Sequence, residues 1–470
     1  MTIRHLIWIA GGGLVARAAL AVAFPVLPDE AYYWVWAHHL AWSYPDHPPM
    51  IAYLIALTTW GENGSFWVRL SPLVLGAATT YTLYLVGRDM FDEKAGIIAA
   101  ALFQVVPILW LGGTAALPDA PLYLAWVATL RFVWQATHGQ SRRGVAAGLT
   151  MGLGLLSKLY MAFLGVGLVC FVLLDARPGF RRKELFWGVL IAGLAFLPVI
   201  IWNLIHDWAG VHFFLYERPR WGHGLAGLRG LLSPHLEFVL LLFPAFVWAL
   251  WAAWRRRGDE RFRYLLWTTL PAIAFTVLTA FVGIGRGAWL GPVYLELAII
   301  LGALWNRGVA ALAWGNAALT AVFIARAVIP GLPPPPIPIA LHGWDQAAAR
   351  VEAEVAAFGP GTEVITDNYE IASELSYHSG GILPVLLVPR PAWALVWPPL
   401  DRFTGSKGVA VTYGPLKWSH CFSGAQAVPL TAENAGNVLT LLYVYRLTDL
   451  SVRRCLCDQC CPYCPYGITR

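Results

Sequence analysis

Over its first 330 residues the chain is a succession of apolar runs cut by short basic clusters, and no water-soluble fold absorbs that pattern. About 20 apolar residues cross a bilayer core as a helix. The first run, Leu6 to Leu27, already has that length. It follows only Arg4 and His5 and has no small-residue cleavage pattern, so it reads as a retained span with its N-terminus in the cytoplasm. Composition agrees: 58% of residues are hydrophobic, 13% are charged, and 24 of 470 are Trp, the profile of a polytopic membrane protein.

Lys and Arg near span ends are held on the cytoplasmic side, so basic loops orient the chain. Arg88 to Lys94, Arg142-Arg143, Arg177 to Lys183, Arg255 to Arg263 and Asn306-Arg307 are five such loops. They imply about eleven spans. These lie near residues 6–27, 70–88, 95–113, 120–137, 145–157, 160–175, 185–204, 232–253, 264–282, 290–305 and 309–327. The arms of the hairpin from Val145 to Asp175 are short for full crossings, so it could include a re-entrant or tilted element. The remaining loops, carrying Asp29-Glu30, Asp119, Lys158, His206 to His223 and Arg286, all fall on the non-cytoplasmic side, as a site assembled between helices requires.

After Pro330 the composition changes. Residues 330–340, with Pro333-Pro334-Pro335-Pro336, read as a stiff linker. A small α/β domain is expected over 341–450, outside the cytoplasm, with a helix from Trp344 to Phe358 and strands at Glu363 to Thr366, Pro384 to Val388 and Asn437 to Leu447. The tail, 451–470, holds five of the seven cysteines between Cys455 and Cys464. Zinc sites pair two such thiolate gaps across a longer loop, and this run has no second half and no His; an atypical extension, disordered or disulfide-bonded, is expected instead.

The chemistry-bearing motifs cluster after the first span. Pro28-Asp29-Glu30-Ala31-Tyr32-Tyr33-Trp34 places an acidic pair among aromatics at a membrane surface, and Tyr44-Pro45-Asp46-His47-Pro48-Pro49 follows. A carboxylate there can take a proton from an acceptor hydroxyl, and the aromatics can sit at headgroup level or stack on a sugar ring. Equally, Asp29 can cap a helix whose first turn holds Glu30, beside an aromatic belt.

These segments, with Leu117-Pro118-Asp119-Ala120-Pro121, Gly152-Leu153-Gly154-Leu155-Leu156-Ser157-Lys158 and Trp202-Asn203 through His206-Asp207-Trp208, resemble the lipid-dependent glycosyltransferases of the polytopic GT-C type. Within these, the chain is similar to the bacterial branch related to protein O-mannosyltransferases and to the enzymes that add aminoarabinose or galacturonic acid to lipid A and core sugars. The resemblance implies a GT-C membrane domain over 1–329, its first periplasmic loop at 28–69, followed by the periplasmic α/β domain, in a bacterial inner membrane. It also implies a sugar donor on a polyprenyl phosphate and transfer at the periplasmic face to a glycolipid, glycan or protein acceptor. In such families the first acidic residue after span one is catalytic, and Asp29 holds that position.

Attack of an acceptor oxygen on the anomeric carbon needs a base for the acceptor proton and cations for the departing phosphate. Asp29 is the expected base, with Glu30 positioning the acceptor or Asp29 itself. Asp119 resembles the second acidic position of the family, although Pro118-Asp119-Ala120-Pro121 is also a helix start. Lys158 could meet a phosphate oxygen or snorkel to the interface. Arg218 and Arg286 are further phosphate or uronate candidates, each also able to contact a lipid headgroup. Tyr32 and Tyr33 are candidates for the donor sugar. His47 could bind the acceptor or, with carboxylates nearby, a divalent metal; the proline turn around it explains it equally well, and no metal is claimed. One acting carboxylate with no nucleophile opposite implies a single displacement with inversion.

The net charge of +6 reports mainly the cytoplasmic loops, not nucleic-acid binding. Arg17, deep in span one, needs a partner, for which Glu296 is a candidate. The competing function is a transporter or flippase of a lipid-linked sugar. Transporters show two related halves with interrupted spans and midplane charges, and no such repeat is visible.

Overall fold

The computed structural model describes residues 2–60, 64–175, 182–217, 222–329, 332, 341–387, 407–416, 422–428, 438 and 441–450. Arg218, all but one residue of the 330–340 linker, and the cysteine-rich tail lie outside the described residues. The chain divides into two compact units. The first comprises Met1–Phe24, Trp42–Leu54 and Arg69–Pro335, and the second Pro25–Ala41, Ile55–Val68 and Pro336–Arg470.

The membrane-type helices are α1 (Ile3–Ala23), α2 (Pro28–His38), α3 (Met50–Thr59), α4 (Ser65–Met90), α5 (Glu93–Val105), α6 (Pro107–Gly112), α7 (Asp119–Thr137), α8 (Arg143–Ser157) and α9 (Met161–Leu174). There follow α10 (Arg182–Ile205), α11 (Ala209–His212), α12 (Leu225–Phe238), α13 (Phe243–Arg255), α14 (Glu260–Phe281), α15 (Gly291–Ala303) and α16 (Arg307–Val328). Among the described residues, five stretches are long and apolar enough to cross a membrane: α1, α4, Phe186–Ile205 of α10, α14 and α16. A helix or consecutive helices lie over each of the other expected spans as well. Within 28–69, the segment expected as the first periplasmic loop, the described residues form α2, α3 and the start of α4; Pro28 at the first helical position is pre-set for α2.

In the first unit α15 is buried along nearly its whole length and is the axis of the core, with Leu295, Ile299 and Leu301 against Trp126, Phe246 and Leu265. Small residues bring neighbouring helices together. A Cβ on Gly148 of α8 would lie 2.3 Å from the Gly188 carbonyl oxygen of α10, and one on Gly152 2.5 Å from the Ala195 Cβ. Lipid gives no hydrophobic drive between helices, so such close backbone packing supplies the association.

Arg17 is buried, but Glu296 is not its partner. Its guanidinium donates to the carbonyls of Trp110 (2.8 Å) and Phe103 (3.3 Å), to Thr114 Oγ1 (3.1 Å) and to Gln104. Glu296 accepts from Trp126 Nε1 and from the hydroxyls of Thr268 and Thr269. Arg17 and Glu296 each thus find dipoles instead of an opposite charge, which satisfies them without a salt bridge.

The second unit contains α17 (Trp344–Phe358), β1 (Glu363–Thr366), α18 (Tyr369–His378), β2 (Val385–Leu387), β3 (Lys407–Thr412), β4 (Phe422–Val428) and β5 (Tyr443–Leu450). Its mixed sheet has the order β2-β1-β3-β5-β4. β1 runs parallel to β2 (Val364 beside Val385) and to β3 (Val364 beside Val409), whereas β5 is antiparallel to β3 and β4 (Tyr445 opposite Ala410 and Ala427). The expected helix at 344–358 and strand at 363–366 are present at those limits. β3 and β4 were not anticipated, and the last strand starts six residues later than expected, at Tyr443. In this unit α2 packs on α18: Tyr32 meets the Tyr369 ring edge-on with centroids 5.0 Å apart, and Trp34 meets Tyr377 at 5.4 Å.

Candidate functional site

The first unit builds a cavity around the break between α8 and α9. Lys158 is the C-cap of α8 in extended conformation (φ −158°, ψ 131°), and Tyr160 turns the chain into α9. This apex is drawn into the protein, so Lys158 is only 9% exposed. Its ammonium donates to both oxygens of Asp119, at 3.0 and 3.1 Å. Asp119 is the first residue of α7, where the helix dipole favours a carboxylate; the cap position itself is Pro118, and no side chain caps the helix there.

Lys158 lines a cavity of about 260 Å³ with Asp46, His47 and a set of aromatics. Phe163 stacks on Phe275 (centroids 3.9 Å), Phe275 lies nearly parallel to Trp289 (5.8 Å, 13°), and Trp289 faces Phe214 (6.3 Å, 22°). Tyr160 is fixed beside them by its hydroxyl, 2.9 Å from the Ala272 carbonyl and 2.7 Å from Thr276 Oγ1. The cavity therefore has an aromatic wall and a polar end holding an ammonium, an imidazole and a carboxylate. That is the surface a lipid phosphate needs, with an apolar chain beside a cation-bearing head.

Sequence reasoning named Lys158 and His47 separately, and the structure brings them to one cavity. It missed the aromatic wall, whose members come from four separate segments. Arg286 donates to the carbonyls of Ile284 (3.1 Å) and Gly285 (3.4 Å), so part of its fork closes its own loop. That loop passes through Gly283, at φ +83°, and presents Trp289 to the cavity. Near the end of α10, Asn203 accepts from Gly210 N at 3.1 Å, and Asp207 and Trp208 are left-handed (φ 50° and 57°). Backbone strain of that kind in non-glycine residues concentrates near functional sites.

The other acidic motif belongs to the second unit. Pro28 begins α2, Glu30 Oε2 accepts from Leu27 N at 2.9 Å, and Glu30 is fully buried. That contact is a helix cap, and it leaves Asp29 as the exposed acid of the pair. Tyr32 and Tyr33, expected to stack on a sugar, are instead buried in ring packing with Trp36, at 4.7 and 5.0 Å between centroids. An α-helix turns consecutive aromatics inward against α18, which the sequence pattern alone did not reveal.

Around Asp29, α18 contributes Tyr369, whose hydroxyl lies 3.5 Å from Asp29 Oδ1, together with Glu370 and Glu374. Burial, then the charge of Asp29, raises Glu370 above the usual carboxylate range, with a hydrogen bond from Tyr369 opposing. Burial pushes Glu374 up to about 7, against the pull of His378 Nε2 at 3.4 Å, and the charges of Glu30 and Glu370 add to the rise. Among the described residues no three His, Cys, Asp or Glu side chains converge as a metal site.

Comparison with known proteins bears on this arrangement. Residues 46–202 match the family described as dolichyl-phosphate-mannose-protein mannosyltransferase. The chain is 28% identical over 367 residues to the lipid A galacturonosyltransferase RgtD of Rhizobium johnstonii, covering 74% of this chain and 76% of that one. It is 27% identical to the undecaprenyl phosphate-alpha-4-amino-4-deoxy-L-arabinose arabinosyl transferase 1 of Pseudomonas fluorescens, over 62% of this chain and 57% of that one. The structure of ArnT from Cupriavidus metallidurans in its apo state superposes with a TM-score of 0.67 at 17% identity, covering 94% of this chain and 97% of that one. The same protein bound to undecaprenyl phosphate gives the same score. Motifs, helical architecture and relatives agree: the chain has the polytopic GT-C fold, and the proteins it is similar to are membrane glycosyltransferases.

Proposed function

We propose that the protein moves a sugar from a polyprenyl-phosphate donor to a cell-envelope acceptor, a lipid A or core glycolipid, at the periplasmic face of a bacterial inner membrane, within a membrane domain of about eleven spans. The observation that carries this reading is the cavity of the first unit, where Lys158 and His47 stand at the end of an aromatic wall. An isoprenoid chain would lie along Phe163, Phe275 and Trp289, and its phosphate would meet the Lys158 ammonium. The two curated relatives are named for lipid A and for an undecaprenyl phosphate sugar, which supports donor and acceptor of this kind.

In the reaction, Asp29 takes the proton of the acceptor hydroxyl as its oxygen bonds to the anomeric carbon. The bond from that carbon to the phosphate oxygen breaks, and its electron pair leaves with the lipid phosphate. Lys158 has donors beyond those held by Asp119 and would stabilise the charge developing there, an electrostatic contribution largest in a dry cavity. A single displacement of this kind inverts the anomeric centre.

The test is mass spectrometry of envelope glycolipids from cells lacking the protein, complemented with wild type or Asp29→Asn. Loss of one sugar that only wild type restores supports the reading and identifies the acceptor. Equal restoration by Asp29→Asn would remove Asp29 as the base.

A further inference from the structure

At the other end of the first unit, on the side bearing the basic loops, the ends of four helices enclose a second and larger cavity, of about 720 Å³. It is formed by the last turn of α4, the last turns of α7, the start of α8 and the start of α14. The proposed reaction uses none of it.

The charges here are arranged with a surplus. Asp89 is shared between Arg88 (2.8 Å) and Arg131 (2.9 Å), and Asp259 is held by Arg261 at 2.6 Å. Arg143 makes no ion pair among the described residues; its guanidinium lies over the Phe132 ring, 5.7 Å from the centroid. With Glu260 included, four guanidiniums face three carboxylates, so one guanidinium charge is left over.

Two acceptors in the same cavity also lack a donor. Gln135 is only 8% exposed; its amide nitrogen donates to Asp89 Oδ2 at 3.0 Å, but its Oε1 has no hydrogen-bond partner. His138 directs Nδ1 at the Trp134 carbonyl, 2.7 Å away, so that nitrogen carries a proton, and in the neutral ring Nε2 is then an acceptor. Nε2 too is buried without a hydrogen bond, with Glu260 Oε2 3.8 Å away. A buried acceptor left unmade is costly, so the cavity calls for a ligand bringing O–H donors as well as negative charge.

A phosphate ester carrying free hydroxyls meets both demands. Basic pockets between helix ends on the positively charged side of a membrane protein sit where anionic headgroups lie. We propose that this cavity binds the headgroup of an anionic, hydroxyl-bearing glycerophospholipid, its phosphate at Arg143 and its hydroxyls at Gln135 Oε1 and His138 Nε2. The site is separate from the transferase cavity and does not depend on the reaction assigned above.

The probe is phosphatidylglycerol, followed by native mass spectrometry of the full-length protein after exchange from mixed phosphatidylglycerol and phosphatidylcholine vesicles. Wild type should retain phosphatidylglycerol preferentially, and Arg143→Gln should reduce that retention about tenfold, the scale of one charge-assisted contact. Gln140→Glu, an exposed rim position, should reduce it similarly by repulsion, and decides the matter alone if Arg143→Gln fails to fold. Equal retention of the two lipids, or retention unchanged in the folded variants, would overturn the proposal. Glycerol 3-phosphate and inorganic phosphate supply a soluble arm: displacement of the lipid at concentrations similar to its own would reassign the site to a free phosphate ester and overturn the lipid assignment.

Discussion

Around their candidate sites the two units handle charge differently, although the second unit also pairs its buried Glu354 with Arg446 at 2.7 Å. Among the described residues of the helical unit, Lys158 is matched by Asp119, Arg17 by carbonyls and Gln104, and Glu296 by three donors. In the second unit, Asp29, Glu30, Glu370 and Glu374 lie within electrostatic reach across α2 and α18, with His378 the basic side chain against Glu374. Matched charges hold a shape and wait for a ligand to compete for them. A crowd of carboxylates instead makes proton affinity its adjustable property, which suits a group that must take up a proton.

The comparison breaks most sharply at Asp29. If the acidic cluster performs the proton chemistry, Asp29→Asn lowers transfer by about 10²–10⁴, the usual contribution of a general base, while donor binding is retained. Transfer assayed on purified protein, alongside retention of the lipid donor, checks both halves. Full activity of the variant would reduce α2 and α18 to packing.

The matched pair in the helical unit calls for a different pattern. Lys158→Met leaves the part-buried Asp119 uncompensated and should cost about 2 kcal/mol in stability. The double variant Lys158→Met with Asp119→Asn should regain most of that, because both charges are then gone, yet remain poor in transfer. Thermal unfolding in detergent read beside activity separates the two effects. Recovery of activity along with stability would make the pair structural.

Why only part of this was legible follows from distance along the chain. Basic loops and span lengths are local signals, and so are the helix at 344–358, with its apolar stripe, and the strand Glu363–Thr366. β4, with the sequence Phe-Ser-Gly-Ala-Gln-Ala-Val, has a single β-branched residue and no strong strand preference of its own; it pairs because β5 offers an edge. The Lys158 to Asp119 contact spans 39 positions, and Tyr369 reaches Asp29 across 340, so neither pairing leaves a periodic trace. The Asp46-His47 motif was visible as chemistry, but the aromatic wall exists only once α9 and α14 lie side by side.

Glu374 sharpens the comparison through pH. Its folded value, about 7, lies above the ordinary 4.5, so its contribution to stability is present in full below about 4.5 and is lost as pH rises through about 7. Glu374→Gln should therefore flatten the fall in unfolding temperature across that window, and above it should stabilise the protein by on the order of 1–3 kcal/mol. The groups facing Glu374 are His378 and Glu370 on its own helix, Glu30 on α2, and Tyr413. Parallel pH curves for variant and wild type would mean that these neighbours, not Glu374, hold the proton.

The smallest effect is expected at the residue that sequence pairs with Asp29. Glu30 caps α2 through Leu27 N, and glutamine can make the same contact, since the third helical position of a capping box takes either residue. Glu30→Gln should therefore change stability by less than about 1 kcal/mol and transfer by less than about threefold. Adjacent acids of one motif would then differ in effect by orders of magnitude, because one side chain is fully buried against its own helix start and the other is exposed toward Tyr369. A loss at Glu30→Gln as large as that at Asp29→Asn would show instead that the pair acts as a unit and that the cap is incidental to it.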